Sequence, residues 1–493
     1  MARKAKQKAK ASEAPRSRAF VACHQAETGH AGHGPVLGHP EQAERVRACG
    51  DRLRANKSLW SLLKKLPARR ATDSELQLAH DESHIKGLTK LADLAATGKT
   101  QFVPHGPMCM NGPRSEVRVD EGDSSDDTYV TSGSLEAARF AAGGILQGVD
   151  EMLMEDGLQR GLVLCRPPGH HASRARSSGF CLVNNVAIAA AYALSCEGIE
   201  RVLIFDWDVH HGQGTQQIFE QSDEVLFISF HRHDGQSFYP ATGSPFEIGC
   251  GHGKGLTVNV ALPQGFEDLA LWSACAQVLV PSTRSFKPDL ILISAGFDAA
   301  AGDPLGGCSV TPQLFGLLTR EILKLSTETA HGRVLLALEG GYNVDVLAEC
   351  VEDVMTALVD EVDLGTAPFA SAPDWLKGKS CQGPIRKTCE VHKGPPLRLP
   401  MPLSKAERRR SSELEMEASK RSMSKDIKEM DSQSAESAQS DVEVSAVSKD
   451  TELTTDRKLT SEDLSATVQV AEGRLKARSP PCIRCQSVAC TPI

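Results

Sequence analysis

Val202-Leu203-Ile204-Phe205-Asp206-Trp207-Asp208-Val209-His210-His211-Gly212 runs from an unbroken apolar stretch into two carboxylates and two imidazoles. In an extended strand side chains alternate between faces, so Asp206, Asp208 and His210 are expected on one side and His211 on the other. One Asp oxygen and one His nitrogen then lie within reach of a single ion. A catalytic zinc ion typically takes three protein ligands and keeps a position open for water, so a further ligand must come from elsewhere. Asp298 is the obvious donor, because it follows a second apolar run, Leu290-Ile291-Leu292-Ile293-Ser294, through the Gly296-Phe297 turn.

Two more apolar runs end in the same manner. Leu162-Val163-Leu164-Cys165 leads into Arg166-Pro167-Pro168-Gly169-His170-His171, and Val334-Leu335-Leu336-Ala337-Leu338 leads into Glu339-Gly340-Gly341-Tyr342-Asn343. Near-continuous apolar strands separated by helical stretches, here Ser134 to Gly148, Asn185 to Glu197 and Thr311 to Leu325, predict a parallel sheet covered on both faces. Such sheets bind ligands beyond their strand C-termini, so the polar tips are expected on one rim. A single Asp or His after a strand is ordinarily a turn or a helix cap. Four tips of this kind together point to a site.

The segments Arg166 to Ala172, Ser178 to Ala190, Asp206 to Gln216, Ser294 to Gly307 and Leu338 to Asn343 resemble the zinc-dependent histone deacetylase family. Asp-Trp-Asp-Val-His-His-Gly and Pro-Pro-Gly-His-His-Ala look like its class II branch, and the match runs in order from about Ala19 to about Val362. The resemblance implies an α/β fold, a three-layer α/β/α arrangement around a central, mostly parallel sheet. It also implies one zinc ion held by Asp208, His210 and Asp298. His171 would be the general base and then the acid, His170 its electrostatic partner held by Asp206, and Tyr342 the donor to the oxyanion. Two departures stand out. Class I members have Asp where this chain has Gln213 and class II members usually Asn, so His171 gains an uncharged partner, which orients a ring but raises its basicity less. Val183 stands where the family often has Phe or Tyr, and reads as packing.

An acetyl-lysine side chain is a narrow aliphatic stem best held between aromatic faces. By resemblance these are Phe180 and Tyr239, with the Gly179 carbonyl accepting from the lysine nitrogen. Asp127, beside Asp126, would grip the substrate backbone at the rim. Leu305 would form an apolar wall at the tunnel mouth. The family also has potassium sites beside the zinc, to which Asp206 and the Ser229-Phe230 backbone could contribute a structural K⁺ site.

At 493 residues the chain divides by pattern into a basic N-terminal extension over 1–18, a catalytic domain over 19–372 and a low-complexity tail over 373–493. From about Pro373 apolar strand patterns stop, and from Ser404 to Asp456 Ser, Glu, Lys, Asp and Ala dominate without aromatics, too little apolar surface to offset chain entropy. A net charge of −8 argues against the whole chain binding nucleic acid directly, and no membrane span is expected. The lysines of the first ten residues and Arg408-Arg409-Arg410 are compatible with nuclear import, so the expected location is nucleus, cytoplasm or both. Fifteen scattered cysteines without a secretory segment read as a reduced intracellular protein. Cys482, Cys485 and Cys490 lack a fourth ligand for a zinc finger.

Three alternatives weigh against the sequence differently. An arginase-type dimanganese enzyme needs a second carboxylate where this chain has Ala300. Class II relatives that prefer acetylated polyamines place Glu after Gly-Asp-Pro, and here Gly302-Asp303-Pro304 is followed by Leu305. A catalytically weak acetyl-lysine reader is disfavoured by Tyr342, since vertebrate class IIa members have His there. The expectation is a deacetylase acting on acetylated histone tails or other acetyl-lysine proteins, with protein partners recruited through the tail.

Overall fold

Strands built of Val, Ile and Leu on both faces need cover on both faces, and helices supply it. The structure, a computed structural model, describes residues 18–23, 33–34, 38–67, 69–103, 128–235, 237–393 and 410. In chain order the strands are β1 (Ala19–Cys23), β2 (Leu63–Leu66), β3 (Gln101–Phe102), β4 (Tyr129–Val130), β5 (Arg160–Leu164), β6 (Val202–Asp206), β7 (Val225–Arg232), β8 (Thr257–Leu262), β9 (Leu290–Ala295) and β10 (Val334–Leu338). β3 and β4 form a small antiparallel pair. The other eight form one sheet in the order β2-β1-β5-β10-β9-β6-β7-β8, parallel at every junction. Every residue of β6, β9 and β10 is buried.

The four strands with polar tips, β5, β10, β9 and β6, are consecutive neighbours at the centre of the sheet. Adjacent strands lie about 4.8 Å apart, so the four tips share one rim by construction. Helices Ser134–Leu153, Asn185–Ser195 and Pro312–Thr329 occupy the stretches read as helical. The first two pack on each other, while Pro312–Thr329, Val344–Val359 and Glu44–Ala55 pack as a second group. Asn184 and Asn343 start two of these helices as N-caps, their side chains accepting from Ala187 N at 2.9 Å and Val346 N at 3.3 Å. Val183 is buried in the core, as packing requires.

The boundary expected at Pro373 falls too early. Helix Gln382–Val391 buries Ile385, Thr388 and Cys389, an i, i+3, i+4 stripe, and packs on the edge strand β8. Thr388 Oγ1 donates to Asn259 O at 2.7 Å, and Leu269 N donates to Lys377 O at 2.9 Å. A composition average over a polar region hides one such stripe. The chain separates into units 1–402 and 403–493, and of the second only Arg410 is described. The lysine-rich N-terminus and Cys482, Cys485 and Cys490 lie outside the described residues.

A chain ending at Pro402 is therefore expected to melt within a few degrees of the full-length protein, and one ending at Asp374 clearly below it. Burying Ile385 alone is worth roughly 1.5–3 kcal/mol, and the second truncation also uncovers β8. Thermal melts of the two truncations check this. Equal midpoints would mean the helix contributes nothing to the domain.

Candidate active site

The rim is built by carboxylates that fold the backbone back on itself. β6 ends at Asp206, so the chain beyond it is no longer extended and strand alternation does not place Asp208 and His210. Two side-chain-to-backbone turns do: Asp206 Oδ1 accepts from Asp208 N at 3.1 Å, and Asp208 Oδ1 accepts from His210 N at 2.9 Å. Asp206 itself faces His170. Asp298 reaches the same spot from the tip of β9, its Oδ1 accepting from Val209 N at 2.9 Å. His210 Nδ1 lies 3.1 Å from Asp208 Oδ1 and 3.1 Å from Asp298 Oδ2. His211 turns away, as expected, to Thr242 and Gln216.

This trio fits a metal ion. Its ligand atoms lie within 4.8 Å of one another, and the donor set of one imidazole and two carboxylates is of the kind zinc takes. Burial and the neighbouring Asp208 carboxylate push Asp298 up to about 7, a crowding of buried negative charge that a dication relieves. The room is made by glycine: a Cβ on Gly340 would stand 2.1 Å from Asp298 Oδ2, and one on Gly296 1.9 Å from Asp208 Oδ2. Asp206 and Ser229 are partners across β6 and β7, beside this trio.

The tip of β5 supplies two imidazoles whose titration is pushed in opposite directions. His170 Nδ1 lies 3.0 Å from Asp206 Oδ2, and His171 Nδ1 2.6 Å from Gln213 Oε1, with ring centroids 3.9 Å apart. Burial disfavours charge on His170, but Asp208 and Asp206 outweigh it and push it up to about 10. Burial and the charge on His170 hold His171 well below its ordinary value. Glu339, which sequence reading left without a role, clamps this tip from β10, accepting from Gly169 N at 2.6 Å and His170 N at 3.1 Å.

Tyr342 follows the end of β10, near enough to Asp298 and Asp208 for their charges to act on its phenol. Its backbone N donates to Asp303 Oδ2 at 2.6 Å, and Asp303 Oδ1 accepts from Leu305 N at 2.9 Å, so one carboxylate ties the β9 and β10 loops together. The Arg45 guanidinium lies 4.9 Å from the Tyr342 ring centroid and Arg45 Nε donates to Gly341 O at 2.6 Å. Burial pushes the Tyr342 phenol well above its ordinary value, against the pull of Arg45. Asp303 and Arg45 were missed in the sequence, because neither sits in a motif that announces its partner.

The residues read as tunnel walls, Phe180 and Tyr239, lie beside Tyr342 and His171. Phe180 stands edge-on to Tyr342 at 5.8 Å, on a backbone with φ 68° next to Gly179. Tyr239 stands edge-on to His171 at 5.0 Å, its hydroxyl 2.7 Å from Ser178 Oγ. Leu305 is 37% exposed on the β9 loop. Phe238, unassigned by sequence, stacks on His210 at 4.9 Å. Asp127 and Asp126 lie outside the described residues.

Comparison with known proteins shows the family and the fold. The histone deacetylase domain family matches residues 39–358. The chain is similar to histone deacetylase 6 of Caenorhabditis elegans, 39% identical over 365 residues, covering 72% of this chain and 36% of that one. Histone deacetylase 7 of Homo sapiens is 39% identical over 330 residues, 65% of this chain and 34% of that one. The chain spans about a third to a half of the length of the curated relatives it matches. Among solved structures it is similar to the crystal structure of the HDA15 HD domain, with a TM-score of 0.62, 32% identity, and coverage of 76% of this chain and 94% of that chain. With the family matched across the strand tips that build the site, the chain belongs to the histone deacetylase family.

Proposed function

We propose that this chain is a zinc-dependent amidohydrolase that removes acetyl groups from lysine side chains of histones or other proteins. The observation that carries the reading is one rim holding the Asp208, His210 and Asp298 donor set with the His171 ring 5.9 Å from that of His210 and Tyr342 following the neighbouring strand end. Asp208, His210 and Asp298 would hold the zinc ion, which would supply Lewis acidity and lower the pKa of water toward about 7.

The chain's own groups do the rest. With Nδ1–H donating to Gln213 Oε1, His171 presents the Nε2 lone pair, which takes a proton from the attacking water and later delivers it to the lysine amine. His170, held by Asp206, disfavours a second positive charge on the neighbouring imidazole, 3.9 Å away between ring centroids. The Tyr342 hydroxyl donates to the carbonyl oxygen as it becomes an oxyanion. Phe180 and Tyr239 exclude water from the aliphatic stem, which strengthens these interactions. Assay of the purified protein on acetyl-lysine peptides, with and without a chelator, tests the reading; chelator-insensitive activity would refute it.

Leu305 bears on the choice between a protein substrate and a free polyamine with a distal ammonium. An apolar side chain at the mouth offers that charge no partner. Leu305→Glu would place a carboxylate nearby, worth up to a few kcal/mol at an effective dielectric of about 20 before desolvation. The expected outcome is a shift of roughly one to two orders of magnitude in relative kcat/KM toward acetylated polyamine. Both substrates measured on both proteins decide it, and an unchanged ratio refutes the role of Leu305.

A further inference from the structure

A metal-ligating imidazole must hold its ring plane so that the ligand nitrogen points at the ion. The usual device is a hydrogen bond from the other ring nitrogen to a carboxylate, carbonyl or water, and losing it typically costs about 10- to 100-fold in metal affinity. His210 is built differently. Its Nδ1 faces Asp208 and Asp298, and no hydrogen bond to its Nε2 occurs among the described residues. What lies against the ring is Phe238, parallel to within 6° at a centroid separation of 4.9 Å.

Phe238 is in turn fixed by a cation. The Arg232 guanidinium carbon stands 4.1 Å from the Phe238 ring centroid. That guanidinium cannot wander, because Nε donates to Asp234 Oδ2 at 2.7 Å, Nη2 to the same oxygen, and Nη1 to Gly306 O at 3.1 Å. Arg232 and Asp234 side chains are only 12% and 19% exposed, so the pair is shielded from solvent exchange. A planar fork that donates at its edge while its face lies on an aromatic ring is a geometry Arg provides and Lys does not.

We propose that Phe238 and Arg232 are positioning residues for His210: the stacked ring sets the imidazole plane, and the pinned guanidinium holds the ring. His170 and His171 are oriented by side-chain partners, Asp206 and Gln213, whereas the side chain against the His210 ring is Phe238. The inference rests on the reading of His210 as a zinc ligand. It also makes Arg232 a link between the metal side of the tunnel and the Leu305 loop, through Gly306.

The test is zinc affinity of the full-length chain, measured by competition with a chelator of known affinity, alongside thermal melts of each variant. Phe238→Leu, which keeps bulk but loses the ring, should bind zinc about 10-fold more weakly, and Phe238→Tyr, which keeps the ring, should bind as the wild type does. Arg232→Met should lose several-fold, and Arg232→Met with Phe238→Leu should be no weaker than Phe238→Leu alone, because the guanidinium acts through the ring. Should Phe238→Leu fail to fold, the contrast of Arg232→Met with the wild type carries the test. A wild type that takes up one zinc, with Phe238→Leu and Arg232→Met binding it equally tightly, overturns the stack and leaves the zinc reading standing. Fully additive losses in the double variant overturn the claim that Arg232 acts through Phe238. A wild type that takes up no zinc overturns both.

Discussion

Asp208→Asn, His210→Ala and Asp298→Asn are each expected to abolish deacetylation together with bound zinc. Each change removes one donor from a set of three, and the two Asn variants also remove a negative charge that balances the ion while preserving shape. Asp298→Asn can still accept from Val209 N, and Asp208→Asn can still accept from His210 N, so the backbone turns survive and the loss falls on the metal. A metal contributes several kcal/mol of transition-state stabilisation, so its loss lowers activity by at least about 10³-fold. Asp298→Asn should not destabilise the metal-free protein, because it removes one of two buried carboxylates that repel one another, whereas Asp208→Asn also strips a counter-charge from His170 and an acceptor from Gly340 N and should cost stability. Metal analysis of the purified variants checks the assignment, and full zinc occupancy in all three would mean that other residues hold the ion.

Much of this site was legible because its parts lie at the ends of strands whose apolar runs are near-continuous. β5, β6, β9 and β10 are read almost residue by residue, and their adjacency follows from a parallel sheet with helical crossovers. Asp208 and His210 were reached by a local argument that the chain does not obey: extended geometry stops at Asp206, and side-chain turns converge the ligands instead. Illegible were the contacts made across long sequence separations. Arg45 meets the Gly341 carbonyl 296 positions away, Glu339 clamps a loop 170 positions before it, and the polar stretch after Pro373 conceals Ile385, Thr388, Cys389 and His392, all buried. Periodicity reports which face a residue prefers, and carries no signal for which distant backbone its side chain will bond. Phe238 shows the same limit at closer range, since nothing in the sequence assigns it a role and its parallel contact with His210 appears only in the fold.

Tyr342→Phe isolates the hydroxyl from the ring that carries it. The ring is held by groups the substitution leaves alone: the Tyr342 N–H on Asp303, the Arg45 guanidinium at 4.9 Å, and Phe180 edge-on at 5.8 Å. Zinc content and KM are therefore expected to stay near wild type. On the proposed role, the hydroxyl's contribution appears only as negative charge develops on the carbonyl oxygen. Removing one preorganised donor of that kind costs about 10²- to 10³-fold in kcat, or about 3–4 kcal/mol. Because burial holds the phenol well above its ordinary value, it remains a donor throughout the neutral range, and the loss should not vary with pH there. Steady-state kinetics on an acetyl-lysine peptide separate the outcomes. A fall in kcat at constant KM places the hydroxyl on the transition state. A rise in KM with kcat intact would instead assign Tyr342 to ground-state binding, and the oxyanion role would have to pass to another donor on this rim.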